Sequence, residues 1–243
     1  MTRRESLGVL GAGGAFLMAM DPRQGGGAAP VQSPSSAPAF AGKHEVQPLP
    51  FDPKALTGLS EKLLVSHHDN NYAGAVRNLN KVELELARCN AETPPFVVGG
   101  LKQSELQFKN SMVLHEHYFA NIGGDGKASG AIEAALAAQY GSLAKWEEMF
   151  RATGASLGGG SGWAVVAYDL TSSSVHTFWS GHHTQAHSAS VPLLVMDMYE
   201  HAYQMDYGAA AAKYIDAFFA NVRWEEVNRR LDRAVTAAAA MKG

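Results

Sequence analysis

The sequence predicts an α+β protein, in which an N-terminal antiparallel helical hairpin domain precedes an α/β domain with a three-stranded antiparallel sheet. Two observations predict this fold class. Apolar residues recur at helical spacing in the first half, and from Trp163 the period changes to one typical of strands. Helical spacing then returns before the C-terminus. Helices and strands that are segregated along a chain are typical of the α+β class.

The composition excludes several functional classes. The chain has 243 residues, of which 46% are hydrophobic and 18% charged, and its formal net charge is −3. That balance argues against a nucleic-acid partner, because nucleic-acid-binding proteins usually carry a strongly basic face. The single cysteine, Cys89, excludes an internal disulfide and any multi-cysteine zinc or iron–sulfur site. Any metal would therefore need imidazole and carboxylate ligands, and the ten histidines offer the former.

The N-terminus predicts export. Residues 1–20 resemble a twin-arginine signal, because Arg3 and Arg4 precede an uncharged, glycine-diluted stretch from Leu7 to Met20. Residues 21–42 are rich in Pro, Gly and Ser and predict a disordered linker. We expect a bacterial protein that is exported to the periplasm or cell surface and has no membrane span in its mature form. The alternative is an uncleaved N-terminal tail.

Two long helices are predicted in the N-terminal domain, residues 43–127. The first begins after an N-cap at Ser60 and continues without proline to about Arg88. The second runs from about Lys102 to Asn121 and ends at Gly123-Gly124. We expect the two helices to pack as an antiparallel pair.

The C-terminal domain, residues 128–243, combines short helices with strands. Turn residues separate its three strand-like runs, and two helical patterns close the chain. The predicted helices are 132–140, 142–153, about 209–222 and about 224–241, and the predicted strands are 163–168, 175–179 and 191–196.

Four side chains in different segments are candidate metal ligands. Asp197 and His201 lie four residues apart where a strand-like run ends, so they can reach one common point. His115 lies in the apolar stripe of the second helix, and His67 has the corresponding place on the first. Each has another interpretation, since an aspartate can cap a helix and a core histidine can bond to a backbone carbonyl. Together, three imidazole nitrogens and one carboxylate suit iron or manganese with one open position.

A motif around these residues carries a family resemblance. The run from Asp197 to Tyr203, Asp-Met-Tyr-Glu-His-Ala-Tyr, resembles the D-x-[WY]-E-H-A-[FY] motif of the iron/manganese superoxide dismutases. The other segments of the resemblance follow in family order between Leu49 and about Leu231. They are Leu49-Pro50-Phe51, His67-His68 through Leu79-Asn80, the run from His115 to Asn121, and Gly160-Ser161-Gly162-Trp163-Ala164.

The resemblance implies a metal centre between the two domains. Its ligands would be His67, His115, Asp197 and His201, with a water or hydroxide as fifth ligand and one iron or manganese ion per subunit. The implied reaction converts two superoxide anions to dioxygen and hydrogen peroxide, with superoxide as the small-molecule substrate. No other cofactor is implied.

The residues around the implied ligands follow the family less closely. In the family a histidine or glutamine near the end of the second strand bonds the metal-bound solvent, and here either His182 or His183 takes that place. Counting forward from Trp163 favours His183, whereas counting back from Asp197, as in iron-type members, favours His182; of the two we favour His183. Trp163, together with Tyr118 or Phe119, would form an aromatic wall, although large aromatics at such spacings usually belong simply to the core. The family's gateway tyrosine is replaced by Ala75, and the histidine four residues after the first ligand is replaced by Asn71.

The resemblance also implies a homodimer. In the family, a glutamate at the position of Glu200 reaches the partner subunit's ligand histidine, and a tyrosine at Tyr203 joins this bridge. We expect two-fold contacts of this kind here. No role is assigned to the remaining histidines, His44, His68, His117, His176 and His187.

The residue spacing excludes two other kinds of functional motif. His115-Glu116-His117 is not the H-E-x-x-H of zinc proteases, and the glycine run at 158–162 lacks the lysine of a phosphate-binding loop. The alternative function is a weakly active or inactive family member. Such a protein would act as another mononuclear iron redox enzyme, which the smaller Ala75 permits, or as an exported metal-binding protein.

Overall fold

A helical hairpin forms the first half of the fold. The structure is a computed structural model that describes residues 37–242. Helix α1 (Glu61–Ser66), a π-helical turn (His67–Tyr72) and helix α2 (Ala73–Leu86) follow one another directly, and helix α3 (Pro95–Ala120) returns alongside them. The Tyr72 hydroxyl, just before α2, bonds to Glu116 near the end of α3, so the pair is antiparallel as predicted.

The boundaries of these helices show two differences from the prediction. The first helix does begin after an N-cap, since the Ser60 hydroxyl accepts a hydrogen bond from the backbone N–H of Leu63 at 3.1 Å, but the π-helical turn within it was not predicted. Helix α3 begins at Pro95, whereas we expected a start near Lys102. Proline is favourable at the first helical position, because its missing N–H would have no partner there.

The second half surrounds a small sheet with helices. The strands β1 (Trp163–Asp169), β2 (Ser174–Ser180) and β3 (Ser190–Asp197) form an antiparallel sheet with the order β2-β1-β3, and this confirms the predicted α+β fold. Two short elements after β3, a 3-10 turn (Glu200–Ala202) and helix α6 (Gln204–Tyr207), were not predicted. The longer helices are α4 (Ala131–Tyr140), α5 (Leu143–Ala155), α7 (Ala211–Ala220) and α8 (Trp224–Lys242).

The sheet register places two chain segments beside Trp163. This residue begins the central strand β1, which is buried along its whole length. It pairs with Ser180 at the end of β2 and with Asp197 at the end of β3. The loop that follows β2 and the carboxylate that ends β3 therefore lie at the same end of the sheet. Helix α3 packs against β3, and this brings the hairpin to the same place.

The segment before the hairpin contacts it. A 3-10 turn covers Pro38–Phe40, within the range 21–42 that we expected to be a linker. The Glu83 carboxylate of α2 accepts a hydrogen bond from the backbone N–H of Gly42 at 2.9 Å and lies 2.7 Å from His44 Nε2. The predicted export signal and residues 21–36 lie outside the described residues. No helix within residues 37–242 is long and apolar enough to span a membrane.

Candidate metal centre

Four side chains converge on one buried point between the hairpin and the sheet. Asp197 Oδ2 lies 3.1 Å from Nε2 of His67, 3.2 Å from Nε2 of His201 and 3.5 Å from Nε2 of His115. The four potential ligand atoms all lie within 4.8 Å of one another. His67, His115 and Asp197 are at most 1% exposed, so the group is largely sealed from bulk water.

Each of these residues comes from a different element. His67 begins the π-helical turn, His115 lies on α3, Asp197 ends β3 and His201 belongs to the 3-10 turn that follows. The backbone N–H of Tyr199 donates a 2.8 Å hydrogen bond to Asp197 Oδ1. Because one carboxylate oxygen is occupied in this way, the other oxygen is left to face the three imidazoles.

The protonation of His115 is fixed by its surroundings. Its Nδ1 lies 2.7 Å from the carbonyl oxygen of Ser111, one turn earlier on α3, and a carbonyl can only accept. Burial, together with the neighbouring His67, lowers the pKa of His115 to about 3. The ring is therefore neutral at pH 7, with its proton on Nδ1 and a lone pair on Nε2.

Asp197 is a buried carboxylate at the centre of the group. Burial alone would raise its pKa, but the charge of His201 and the hydrogen bonds from His201 and His67 outweigh burial and hold the pKa below its usual range. Burial lowers the pKa of His67. Asp197 is thus ionised and His67 is neutral at pH 7.

The donor set fits a metal ion. The lone pair of His115 Nε2 faces the ionised Asp197 Oδ2 at 3.5 Å, and this nitrogen is buried without a hydrogen-bond partner among the described residues. Two acceptors that face each other in a buried site repel, and each lacks compensation for lost water. A cation between them would remove both costs, and three nitrogens with one carboxylate oxygen suit iron or manganese.

The structure distinguishes the two histidines of the loop after β2. His183 is 9% exposed, its Nδ1 accepts a 3.0 Å hydrogen bond from Trp163 Nε1, and its ring centroid lies 6.3 Å from that of His115. His182 instead bonds through Nδ1 to Thr184 Oγ1 at 3.0 Å. Of the pair, His183 is therefore the residue beside the candidate ligands.

Comparison with known proteins identifies the family. The model for the C-terminal domain of iron/manganese superoxide dismutases matches residues 128–230. The iron superoxide dismutase of Cupriavidus metallidurans is 44% identical over 193 residues, which cover 79% of this chain and 98% of that protein. A manganese superoxide dismutase of Halobacterium salinarum is 33% identical over 198 residues, covering 79% and 96%, respectively.

This chain belongs to the iron/manganese superoxide dismutase family. An iron superoxide dismutase of Aquifex aeolicus is also similar, with 32% identity over 211 residues that cover 83% of this chain and 98% of that protein. Relatives with either metal match almost over their full lengths. Iron or manganese is thus the cofactor that both the family and the donor set indicate.

The predicted aromatic residues have different positions in this family member. Trp163 lies against the site, with its ring 5.1 Å from the ring of His115 in an edge-to-face arrangement. Tyr118 is fully buried behind His67, at a ring distance of 5.2 Å, and its hydroxyl lies 3.4 Å from that of Tyr214. Tyr118 therefore packs behind a candidate ligand and is not among the residues that line the cavity.

An open cavity of about 350 Å³ reaches the candidate ligands. Both sequence departures, Asn71 and Ala75, line it. Tyr72 does not replace the gateway tyrosine, because its hydroxyl is held by the backbone N–H of Gln47 and by Glu116. The other lining residues are Asn70, Gly74, Asn78, Gln107, Phe108, Ser111, His115, His183, Tyr199 and His201.

Three residues of the site were missed by sequence reasoning. Tyr199 stacks between His183 at 4.6 Å and His201 at 5.3 Å, and its place inside the motif was the available signal. Ser111 could have been found as the residue four before a helical histidine. Tyr214, whose hydroxyl donates to the backbone carbonyl of Asp197 at 2.7 Å, gave no local signal.

Proposed function

We propose that this chain is a superoxide dismutase, which converts two superoxide anions and two protons to dioxygen and hydrogen peroxide at one iron or manganese ion. The observation that carries this proposal is the buried convergence of three imidazole nitrogens and one carboxylate oxygen within 4.8 Å. When bound, the ion would supply the one-electron redox chemistry. The absence of thiolate ligands fits an ion that cycles in contact with oxygen species.

The side chains of this protein would bind the ion and orient its ligands. His67, His115, Asp197 and His201 would hold the ion, and the backbone bond of Tyr199 to Asp197 Oδ1 orients the carboxylate. Burial lowers the pKa of His183 to about 4, so this ring is neutral at pH 7. We infer that His183 orients a hydrogen bond in the cavity, while the protons that the reaction consumes come from solvent.

A superoxide-consumption assay with metal analysis on the purified protein tests this proposal. We expect catalysed superoxide loss that increases in proportion to bound iron or manganese and is absent from the chelator-treated protein. Full metal loading without superoxide turnover would contradict the proposal.

One observation favours a second candidate function. The open cavity that reaches His115 and His201 is lined by the small side chains of Asn71 and Ala75. Molecules larger than superoxide could therefore approach the candidate ligands. A loaded but inactive protein would then act as another mononuclear iron redox enzyme or as an exported metal-binding protein. The assay above separates these functions from superoxide dismutation.

We propose a homodimer in which the second copy contacts the site beside His201. The His201 side chain is 24% exposed, whereas the side chains of His67 and Asp197 are not exposed at all. Glu200, beside His201, is also exposed and is free to reach a second copy. Tyr203, which we expected to join the bridge, is buried, and its hydroxyl accepts a 3.1 Å hydrogen bond from the backbone N–H of Gly159. The proposed contact therefore rests on Glu200.

We also propose export to the periplasm or cell surface. The paired Arg3 and Arg4 and the uncharged stretch after them support this. Mass spectrometry of the protein from native cells tests it. We expect a mature N-terminus beyond residue 20, and an intact Arg3-Arg4 in the mature protein would contradict export.

A further inference from the structure

Another cavity lies between the π-helical turn, the end of α3 and the segment before the hairpin. Its volume is about 220 Å³, which is below the range of about 300–1,000 Å³ that is typical of sites for drug-sized molecules. It shares no lining residue with the open cavity that reaches His115 and His201. A ligand of this cavity would therefore be small and would not occupy the candidate metal centre.

Much of the lining of this cavity is apolar. The apolar side chains come from Pro48, Pro50, Phe119 and Ala120. The Phe119 ring packs against the rings of His68 and Tyr72, at centroid distances of 5.5 and 6.1 Å. Such walls favour a ligand with an apolar part, because its carbon atoms leave water on binding.

The carboxylate of Glu116, on α3, lines the cavity without a counter-ion. Its Oε1 accepts a 3.0 Å hydrogen bond from the Tyr72 hydroxyl. No group in the described part of the chain bonds to its Oε2 or forms an ion pair with it. His68 cannot do so, because its Nδ1 lies 2.8 Å from Asp69 Oδ1 and its Nε2 lies 2.8 Å from the Gln47 carbonyl oxygen.

This carboxylate favours a cationic ligand. Glu116 is half-buried beside apolar walls, so its charge is less well hydrated than that of a fully exposed glutamate. A bound cation would compensate for the lost hydration through charge-assisted hydrogen bonds. An anion would be repelled, and a bare metal ion would gain nothing from the apolar walls.

We propose that this cavity binds a short primary alkylammonium ion. The ammonium group, which has three N–H donors, lies against the Glu116 carboxylate, and the alkyl chain packs on the two prolines and Phe119. The Tyr72 hydroxyl oxygen, 3.0 Å from Glu116 Oε1, is a neighbouring acceptor. The site does not depend on the proposed dismutase function, so its test does not use superoxide turnover.

Isothermal titration calorimetry on the purified full-length protein tests the proposal. The probe is n-butylammonium chloride, and 1-butanol is the control ligand, because it has the same alkyl chain without the charge. At constant ionic strength we expect one n-butylammonium ion to bind per chain, at least about tenfold more tightly than 1-butanol. No measurable binding of n-butylammonium, or equal binding of 1-butanol, would overturn the proposal.

Two glutamate variants assign the binding to Glu116. Glu116→Gln removes the charge but keeps an oxygen that can accept from Tyr72, and it should weaken n-butylammonium binding at least about tenfold. Glu105→Gln is the matched control, because Glu105 is also half-buried on α3 but pairs with Lys102 at 2.7 Å and lines a different cavity. This variant should bind as the wild type does. Equal affinity of the wild type and Glu116→Gln would overturn the proposal.

A third variant tests the cavity without a change of charge. Ala120 lines the cavity, so the larger side chain in Ala120→Leu should fill part of it and exclude the alkyl chain. We expect n-butylammonium binding to weaken at least about tenfold in the same titration. Wild-type affinity in Ala120→Leu would overturn the proposal, and this result decides the matter if Glu116→Gln does not fold.

Discussion

At the scale of single residues, the site depends on which nitrogen of each imidazole is free. Helix geometry uses one nitrogen of His115, because Nδ1 donates to the Ser111 carbonyl at 2.7 Å. Trp163 uses one nitrogen of His183 in the opposite sense, since here Nδ1 accepts. Two neutral rings in one site therefore have different tautomers. His115 has its lone pair on Nε2, toward Asp197, whereas His183 carries its proton on the nitrogen that Trp163 does not bond.

Removal of one ligand should remove the metal. Loss of an outer-shell partner of a metal ligand typically costs about 10–100-fold in affinity or activity, so loss of a ligand should cost at least about 100-fold. In His115→Ala we expect the protein to be depleted of iron and manganese, and superoxide turnover to fall by at least that factor. Elemental analysis and the consumption assay measure the two effects. His187→Ala, at an exposed histidine, should retain both, and wild-type metal content in His115→Ala would refute the ligand assignment.

Acid should destabilise the metal-free fold. Burial lowers the pKa of His115 to about 3 and those of His117 and His183 to about 4, whereas histidines in the unfolded chain titrate near 6.5. Below that pH the unfolded state binds more protons than the fold, so stability is present above pH 6.5 and is lost as the pH falls. For these three groups, the free energy of unfolding should decrease by about 4 kcal/mol between pH 7.5 and 5.5.

Urea unfolding of the chelator-treated protein at several pH values measures this loss. The ionised Asp197 cannot produce it, because its lowered pKa places its own transition at much more acidic pH. A free energy of unfolding that stays constant or rises from pH 7.5 to 5.5 would show that these histidines are not buried as neutral rings.

The candidate ligands could be predicted from the sequence, but the loop histidine could not. His67, His115, Asp197 and His201 lie on regular elements or in a motif, where spacing constrains position. The loop after β2 has no period, so counting left both His182 and His183 open. The burial of His183, its distance to His115 and the bond from Trp163 Nε1 distinguish them in the structure. Such a contact spans 20 residues and has no local signature.

At the scale of elements, an asparagine joins the helix that carries His115 to the strand that ends at Asp197. Asn121 follows α3, and its amide oxygen accepts from the Val195 backbone N–H at 2.8 Å while its amide nitrogen donates to the Val195 carbonyl at 3.1 Å. Arg230 of α8 donates to the carbonyls of Leu193 and His117 at 2.9 and 3.1 Å. These contacts fix α3 relative to β3 and thereby His115 relative to Asp197.

Substitution of this asparagine should be costly. In Asn121→Ala the buried N–H and C=O of Val195 both lose their partner, and each such loss costs about 1–3 kcal/mol. We expect the free energy of unfolding to fall by about 3 kcal/mol, measured by urea denaturation. Gln103→Ala, at an exposed position on α3, should change it by no more than about 0.5 kcal/mol. Equal stability of the two variants would show that Asn121 does not hold α3 against β3.

Most helices and strands lie close to the positions that the sequence pattern predicted, with two exceptions. The strands at Trp163, Val175 and Val191 were predicted within one residue, because a buried central strand and its partners have a clear apolar pattern. The start of α3 at Pro95 was missed because Gly99 and Gly100 weaken the helical pattern there. The π-helical turn at His67–Tyr72 was missed because it adds no break to the sequence.

At the scale of the whole molecule, the site lies where the two halves meet, and one of its sides remains open. The hairpin contributes His67 and His115, and the sheet region contributes Asp197 and His201. Neither half contains enough ligands alone, so metal binding should couple to the association of both halves. The remaining exposure is at His201, which is the side that we propose a second copy covers.

The proposed dimer predicts a specific effect of Glu200. In Glu200→Ala, the charged contact to the partner would be lost at an interface that is two-fold symmetric, so each dimer loses it twice. We expect the dimer dissociation constant to rise at least about tenfold, which corresponds to about 1.4 kcal/mol. Sedimentation equilibrium measures this, with Glu92→Ala, at an exposed loop position, as the control. A wild-type chain that stays monomeric at all concentrations would refute the dimer.

The most direct test of the central claim, that these four side chains bind one redox-active ion, is a crystal structure of the full-length protein with anomalous data at the iron and manganese edges. We predict one anomalous peak per chain, at coordination distance from Nε2 of His67, His115 and His201 and from Oδ2 of Asp197. A peak elsewhere in the chain, or a bound ion that Asp197 does not contact, would contradict the account.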